Sequence, residues 1–168
     1  MDQHDHVPKL DEKRIAEDQA RGIIFSADRR TLLHYNDELP RGPYVVPDGV
    51  TAIGENAFFC CHNLTGVEMP AGLTTFGNAA FAFCSGLERA TVPEGVTALS
   101  GALFAVCENL RSVTLPDGIS SLGACTFAYC GSLIELTLPK SVAVIGDQAF
   151  VKCPCEEKIK RERPDLFE

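Results

Sequence analysis

The sequence lacks the features that would place the protein in a membrane or direct it out of the cell. No apolar run approaches the roughly 20 residues that a membrane-spanning helix needs, although 45% of the 168 residues are hydrophobic. Residues 1–6 are acidic and polar, without the basic start and apolar stretch of a signal peptide. We therefore expect a cytoplasmic protein without a membrane span, or a surface or secreted protein if a leader was removed.

Motifs that carry chemistry are also missing. The chain has no P-loop, no dinucleotide-binding glycine pattern and no nucleophile elbow. His62 follows Cys61, but a nucleophilic pair needs spatial contact and an electropositive setting, which adjacency does not supply. The net charge of −8 disfavours nucleic acid, which selects clustered Lys and Arg. We predict no catalytic residues, no cofactor and no nucleic-acid partner.

A repeat of 23 residues dominates the sequence, and proline marks its start at positions 47, 70, 93, 116 and 139. The twelfth residue of every copy is phenylalanine: Phe58, Phe81, Phe104, Phe127 and Phe150. The fifteenth residue is always cysteine: Cys61, Cys84, Cys107, Cys130 and Cys153. A fixed period without insertions predicts a solenoid, in which each repeat is one coil that buries its apolar side against its neighbours.

Each repeat is expected to contain the same three parts. A strand precedes the proline, as at residues 111–115, where alternation points Val113 and Leu115 inward. A turn and a short extended piece follow, and a compact helical turn such as residues 78–81 closes the coil. Glycine recurs at the bend before this turn, where a side chain would crowd the next coil or the backbone needs positive φ.

The eight cysteines are predicted to remain thiols that bind no metal. Five of them form one column, and an odd number cannot pair evenly. The chain also lacks the two Cys-x-x-Cys pairs of a structural zinc site. We interpret the column as a buried row of small, polarisable side chains.

Both ends of the repeat array are expected to be covered. Residues 1–9 read as a disordered tail with solvated His4 and His6, residues 10–21 as a helix and residues 23–35 as a hairpin. The predicted division is residues 1–43 for the N-terminal tail, helix and hairpin cap, 44–153 for the array, and 154–168 for a C-terminal cap with its helix at 154–163. The two caps lead us to expect a complete small protein.

The repeat pattern L-x-x-V-x-L-P-x-G-V-T-x-I-G-x-x-A-F-x-x-C resembles the BspA-like, Treponema pallidum-type leucine-rich repeats over residues 44–153. The resemblance implies an α/β repeat fold, a right-handed leucine-rich-repeat solenoid of 23-residue coils with an N-terminal helix-hairpin cap and a C-terminal helical cap. Members of the family are binding and adhesion scaffolds, and no shared catalytic residues can be carried over.

We predict that the outward strand positions form a docking face for a protein partner of unknown identity. Two columns are expected, one through Gly66, Arg89, Ser112 and Glu135, and one through Glu68, Thr91, Thr114 and Thr137. The predicted partner-binding residues are Glu68, Arg89, Thr91, Ser112, Thr114, Glu135 and Thr137. Good strand packing is the alternative explanation of the threonines.

A third column of hydroxyls, at Thr51, Thr74, Thr97 and Ser120, is a second candidate docking surface. Two other functions also stay open at this point. One is an accessory, inhibitor or immunity-type protein that acts by occlusion, and the other is an adhesin-like surface module if the protein is exported. The sequence does not predict the oligomeric state.

Overall fold

Each 23-residue repeat folds into one coil, and the coils stack so that residues of equal phase lie beside one another. The computed structural model describes residues 7–167, so most of the tail predicted over residues 1–9, including His4 and His6, lies outside the described residues. The helices and strands are α1 Glu12–Ala20, β1 Ile24–Phe25, β2 Thr31–His34, β3 Gly42–Val45, β4 Ala52–Ile53, β5 Leu64–Glu68, β6 Thr75–Phe76, β7 Arg89–Thr91, β8 Ala98–Leu99, β9 Ser112–Thr114, β10 Ser121–Leu122, β11 Val144–Ile145, α2 Glu156–Glu162 and a 3₁₀ turn at Pro164–Leu166.

The strands before the prolines form a parallel sheet in the order β3-β5-β7-β9, which we call the strand sheet. Its register follows the repeat, because Arg89 pairs with Ser112 and Ala90 pairs with Val113. The fifth coil adds only one bridge to it, between Ser112 and Glu135. A second side of the solenoid carries the sheets β1-β2-β4-β6 and β8-β10-β11, in which only the β1-β2 pair is antiparallel.

The third side consists of turns, and the helical turn predicted at residues 78–81 is wrong. The N–H groups of Phe58, Phe81 and Phe104 donate to carbonyls of the following coil at 2.8 to 2.9 Å, where an α-helix would bond them within its own chain segment. Two left-handed residues in each coil turn these N–H groups toward the neighbour. Those residues are Asn56, Cys60, Ala79, Phe83, Ala102, Val106, Cys125, Tyr129, Gln148 and Lys152.

The five phenylalanines of the repeat stack in one buried column, as predicted. Neighbouring rings lie 4.7 to 5.8 Å apart and within 15° of parallel. Tyr35 extends the column at the N-terminal end, with its ring 5.0 Å from that of Phe58. Since burying one such ring contributes roughly 2–3 kcal/mol, this column is a main source of stability.

The N-terminal helix and hairpin pack against the first coil and cap this end of the array. β2 pairs in parallel with β4, and Leu32 lies opposite Ile53, so the hairpin continues the repeat backward. Asp18 of α1 is fully buried and accepts a 2.6 Å hydrogen bond from the Tyr44 hydroxyl. Arg14 and Arg21 each donate to its other oxygen at 3.2 Å. These bonds compensate for the desolvation of the carboxylate and fix α1 on the strand sheet.

At the other end, Ile159 of α2 and Cys155 just before the helix are buried against the last coil. Arg163 at the end of α2 donates to the carbonyls of Pro139 and Val142 at 3.1 and 2.8 Å. The helix begins two residues later and ends one residue earlier than the predicted range of 154–163. It acts as the predicted C-terminal helical cap.

Three of the four glycines at the bend, Gly77, Gly123 and Gly146, are required by close approach between coils. A Cβ on Gly77 would lie 2.2 Å from the Glu55 nitrogen, and one on Gly146 would lie 2.3 Å from the Ala124 nitrogen. Neither residue has a positive φ. Of the two explanations that the sequence left open, crowding of the neighbouring coil is therefore the one that applies.

Removing one ring from the middle of the column tests its contribution. Phe104→Ala is expected to lower the free energy of unfolding by about 3–5 kcal/mol, the range for a large-to-small core change. Phe150→Ala, beside the cap, is expected to lower it less because the site can relax. Urea denaturation of both variants measures this, and two unchanged midpoints would contradict a core role for the column.

A second stability test uses two glycines of the repeat. Gly77→Ala is expected to destabilise the protein by about 1–3 kcal/mol because the methyl group would overlap the backbone of the preceding coil. Gly118→Ala is the matched control, since nothing lies within 4 Å of its added Cβ. Equal unfolding midpoints for the two variants would show that the coils are spaced further apart.

Candidate protein-docking face

The strand sheet arranges the predicted partner-binding residues in straight columns. Strand register joins Gly66, Arg89, Ser112 and Glu135 in the first column. In the second column Thr91 lies opposite Thr114. All seven predicted residues point outward, and all are exposed except Ser112, which is half-buried. The geometry of the columns is as expected, while their role in binding stays a prediction.

Charged side chains on this face are available to an outside group. Arg89 and Glu135 lie two coils apart, about 10 Å given the spacing of paired strands. Among residues 7–167, neither of them, nor Glu68, takes part in an ion pair. The two columns therefore present one cation, Arg89, and two anions, Glu68 and Glu135, at fixed spacing on a hydrogen-bonded backbone.

A groove of about 710 Å³ lies at the C-terminal end of this face. Four predicted residues line it, namely Ser112, Thr114, Glu135 and Thr137, together with Ile134 and with Lys158 of α2. Ile134 is 66% exposed and was missed from the sequence. Its phase in the repeat gave a usable signal, because the equivalent residues Thr65, Glu88 and Arg111 are all polar.

Three of the four side chains in the hydroxyl column donate hydrogen bonds to backbone carbonyls. Thr74 and Ser120 donate to the carbonyls of Thr51 and Thr97 at 3.4 and 3.0 Å. Thr51 donates to the Arg30 carbonyl at 3.4 Å. These contacts join successive coils, so the column is a weaker docking candidate than the strand sheet.

An exposed aromatic ridge on the turn side was also missed. Phe59, Phe83 and Tyr129 are exposed, and the rings of Phe59 and Phe83 lie 5.3 Å apart. The signal in the sequence is the pair of residues after each buried phenylalanine, which holds an aromatic side chain in three copies.

The cysteine column is a ladder of hydrogen bonds as well as a packing feature. Four of its five thiols donate to the carbonyl of the phenylalanine one coil earlier, whereas Cys61 of the first coil donates to the Phe59 carbonyl of its own coil at 3.9 Å. The pairs are Cys84 with Phe58, Cys107 with Phe81 and Cys130 with Phe104, all at 3.0 Å, and Cys153 with Phe127 at 2.7 Å. The prediction of a buried row is correct, but its directional bonds could not be read from the spacing.

Two thiols of the column, Cys61 and Cys153, are poorly suited to act as nucleophiles. All eight cysteines are free thiols. Burial raises the pKa of Cys61, and contact with the Cys130 thiol together with burial raises the pKa of Cys153 to about 12. Since the thiolate is the reactive form, these buried groups are unreactive at neutral pH.

His62 does not complete a catalytic pair with Cys61. Its Nδ1 lies 2.8 Å from the Ser85 hydroxyl of the next coil, at an exposed position. Within residues 7–167 no group of three or more His, Cys, Asp or Glu side chains is placed to hold a metal ion. No helix in the same range is long and apolar enough to cross a membrane.

Parallel coils of 23 residues, a strand sheet on one side and a phenylalanine column inside define a leucine-rich-repeat solenoid. The family model for the BspA-type leucine-rich repeat region matches residues 43–156 in six copies. The chain belongs to this family.

Solved structures show the same fold. A leucine-rich repeat protein of T. pallidum is 28% identical with a TM-score of 0.69, and the match covers 77% of this chain and 63% of that one. The pneumococcal vaccine antigen PcpA is 22% identical with a TM-score of 0.69, over 81% of this chain and 36% of that one. A leucine-rich repeat protein from Bacteroides ovatus is 21% identical with a TM-score of 0.52, over 79% and 48%.

The chain thus spans less than two thirds of the length of each of these three proteins. No functionally curated protein matches the sequence.

Thiol accessibility separates the column from the remaining cysteines. Cys60 and Cys125 are half-buried, whereas the other six are buried. We expect the folded protein to expose two thiols to a colorimetric disulfide reagent at pH 8, and the other six only in denaturant, because access and thiolate formation are both blocked. Rapid reaction of more than two thiols in the folded protein would contradict the buried ladder.

Proposed function

We propose that this protein is a non-catalytic binding scaffold that docks a protein partner on the outer face of the strand sheet. The observation that carries the proposal is the column of Arg89, Ser112 and Glu135, in which the charged side chains of Arg89 and Glu135 are exposed and take part in no ion pair among residues 7–167. Membership of a family of repeat scaffolds supports it. A cytoplasmic location and the absence of enzymatic activity belong to the same proposal.

The rigidity of the face favours binding. Backbone pairing holds the strands of the inner coils on both sides, and the phenylalanine column fixes them from within. A surface that is already ordered loses little conformational entropy when a partner docks. Binding energy can then come from a few side chains, and arginine is among those that most often dominate interfaces.

The charge pattern determines which partners fit. Within the two columns Arg89 is flanked by Glu68 and by Glu135, so a surface complementary to the columns has an acidic group between two basic ones. Such patterns act mainly on association rate and on partner choice. The threonines around them provide contact area without demanding a particular partner.

Exchanging the two charges of the column tests this arrangement. Arg89→Glu combined with Glu135→Arg keeps the net charge and reverses the pattern. We expect it to lower the yield of the partner, captured from the native cell and identified by mass spectrometry, by about tenfold or more, a loss of about 1.4 kcal/mol in binding. The melting temperature should stay nearly unchanged because exposed charges contribute little to stability.

A matched exchange on another side of the solenoid provides the control. Glu108→Lys combined with Lys152→Glu also swaps two exposed charges without altering the net charge, but on the turn side. If both double variants capture the partner equally well, the docking face lies elsewhere. If only the control loses the partner, the aromatic ridge of the turn side becomes the site.

A further inference from the structure

The charges of the strand sheet are complementary to those of the same sheet read in the opposite order. In the first column, Arg89 lies one coil before Ser112 and Glu135 lies one coil after it. A half-turn about an axis that runs along β9, above Ser112, reverses the order of the coils in a second copy and preserves the two columns. Arg89 of each copy then lies opposite Glu135 of the other, and Ser112 lies opposite Ser112.

The second column fits the same arrangement. Thr91 lies opposite Thr137, and Thr114 lies opposite Thr114, so side chains of equal size and polarity face each other. Threonine hydroxyls both donate and accept hydrogen bonds, so such contacts need no other kind of partner. The middle of the face therefore consists of small polar side chains that allow two copies to approach closely.

The ends of the face complement each other as well. Glu68 lies opposite the place beyond the last strand that α2 occupies, and Lys158 of α2 lines the groove there. Lys158 forms one ion pair among residues 7–167, a long contact of 3.8 Å with Glu162. Gly66 faces the same wall, and a Cβ there would find its nearest neighbour 3.8 Å away, so packing does not require this glycine. Its lack of a side chain leaves room for α2 of the other copy.

A third pair of charges follows the same symmetry beside the two columns. Glu94 and Lys140 occupy the same position of the repeat two coils apart. Both are exposed, and neither takes part in an ion pair among residues 7–167. Asp117, at this position in the coil between them, lines the groove, so residues of this phase border the face. The half-turn sets Glu94 of each copy opposite Lys140 of the other.

The charges select this axis over the other one that a face-to-face dimer could use. An axis that runs across the strands would keep the order of the coils and exchange the two columns. Arg89 would then lie opposite Thr91, and Glu135 would lie opposite Thr137. No unlike charges of the columns would face each other in that arrangement, so complementarity favours the axis along β9.

The size of the face predicts a weak dimer. Four coils and strands of five residues give a face of roughly 20 by 17 Å, which is well below the about 800 Å² that each partner buries in a standard interface. Arg111 and Asp117 of the central coil also lie close to the axis, where each faces its own counterpart and opposes association. The favourable pairs outnumber these contacts, because each of the three pairs occurs twice.

We propose that the strand sheet binds a second copy of this chain face to face, with two Arg89–Glu135 ion pairs related by a two-fold axis above Ser112. The inference rests on the proposed function and deepens it by naming the partner. The columns require an acidic group between two basic ones, and the reversed face supplies Lys158, Glu135 and Arg89 in that order. The same patch then serves both copies, as a symmetric dimer requires.

Sedimentation equilibrium of the full chain in about 50 mM salt tests the dimer at concentrations from about 10 µM to about 1 mM. We expect a monomer–dimer equilibrium with a Kd on the order of 100 µM. Arg89→Glu and Glu135→Arg are each expected to raise this Kd by about tenfold or more, because each substitution sets like charges opposite each other in both ion pairs. Lys152→Glu and Glu108→Lys, on the turn side, change the net charge by the same amounts and should leave the Kd unchanged.

Two combinations of the same substitutions should restore dimerisation. Arg89→Glu together with Glu135→Arg in one chain exchanges the signs within both ion pairs and keeps them complementary. An equimolar mixture of the two single variants should also associate, although each alone is weakened, because each variant supplies the charge that the other lacks. Neither recovery follows from misfolding or from general charge repulsion.

The remaining outcomes also decide the matter. A monomer at about 1 mM, a dimer that the turn-side variants weaken equally, or a mixture of single variants that stays monomeric would each overturn the proposal. In capture from the native cell, the bound protein is expected to be the chain itself, and a bait with both substitutions should lose it because its charges oppose those of the native face. Capture of a different protein that depends on Arg89 and Glu135, by a chain that is itself monomeric, would leave the proposed function standing and remove only self-docking.

Discussion

Hydrogen bonds between successive coils are the constraint on which the rest of this structure depends. On the strand side, Glu135 donates to the Arg111 carbonyl at 3.0 Å, and on the turn side Phe127 donates to the Ala149 carbonyl at 2.9 Å. Such pairing sets the distance between coils at about 5 Å. This distance is also close to the stacking distance of aromatic rings, which is why one phenylalanine in each repeat can build a continuous column.

The same spacing explains the cysteine and glycine positions. A phenylalanine carbonyl inside the solenoid already accepts from the cysteine N–H of its own coil, as Phe104 does from Cys107 at 3.3 Å, and the thiol of the next coil fills its second lone pair. A cysteine is small enough for this position and still carries a donor. At Gly77 no side chain fits at all, because the preceding backbone occupies the position of a Cβ.

The 23-residue period predicts those features that depend only on the position of a residue within its repeat. It identified the buried phenylalanines, the cysteine column and the alignment of Arg89 with Glu135, because stacking converts equal phase into proximity. It could not identify the left-handed turns. Phe83 and Val106 have no intrinsic preference for positive φ, and their conformation is imposed by hydrogen bonds to another coil. The hydrogen bond from Tyr44 to Asp18 could not be predicted from the period either, since α1 lies outside the repeat.

A solenoid that relies on pairing between coils must end in groups that no further coil can satisfy, and the C-terminal cap meets only part of that need. A helix uses its own backbone groups internally, so α2 covers the core with Ile159 but offers no backbone acceptor to the last strand. Arg163 supplies donors to two carbonyls of the last coil. The carboxylates that α2 could offer as acceptors, Glu156, Glu157 and Glu162, pair instead with lysines of the helix itself. The cap thus shields the last strand from water without pairing its backbone: the N–H groups of Leu136 and Leu138 have no acceptor among residues 7–167, although both residues are buried.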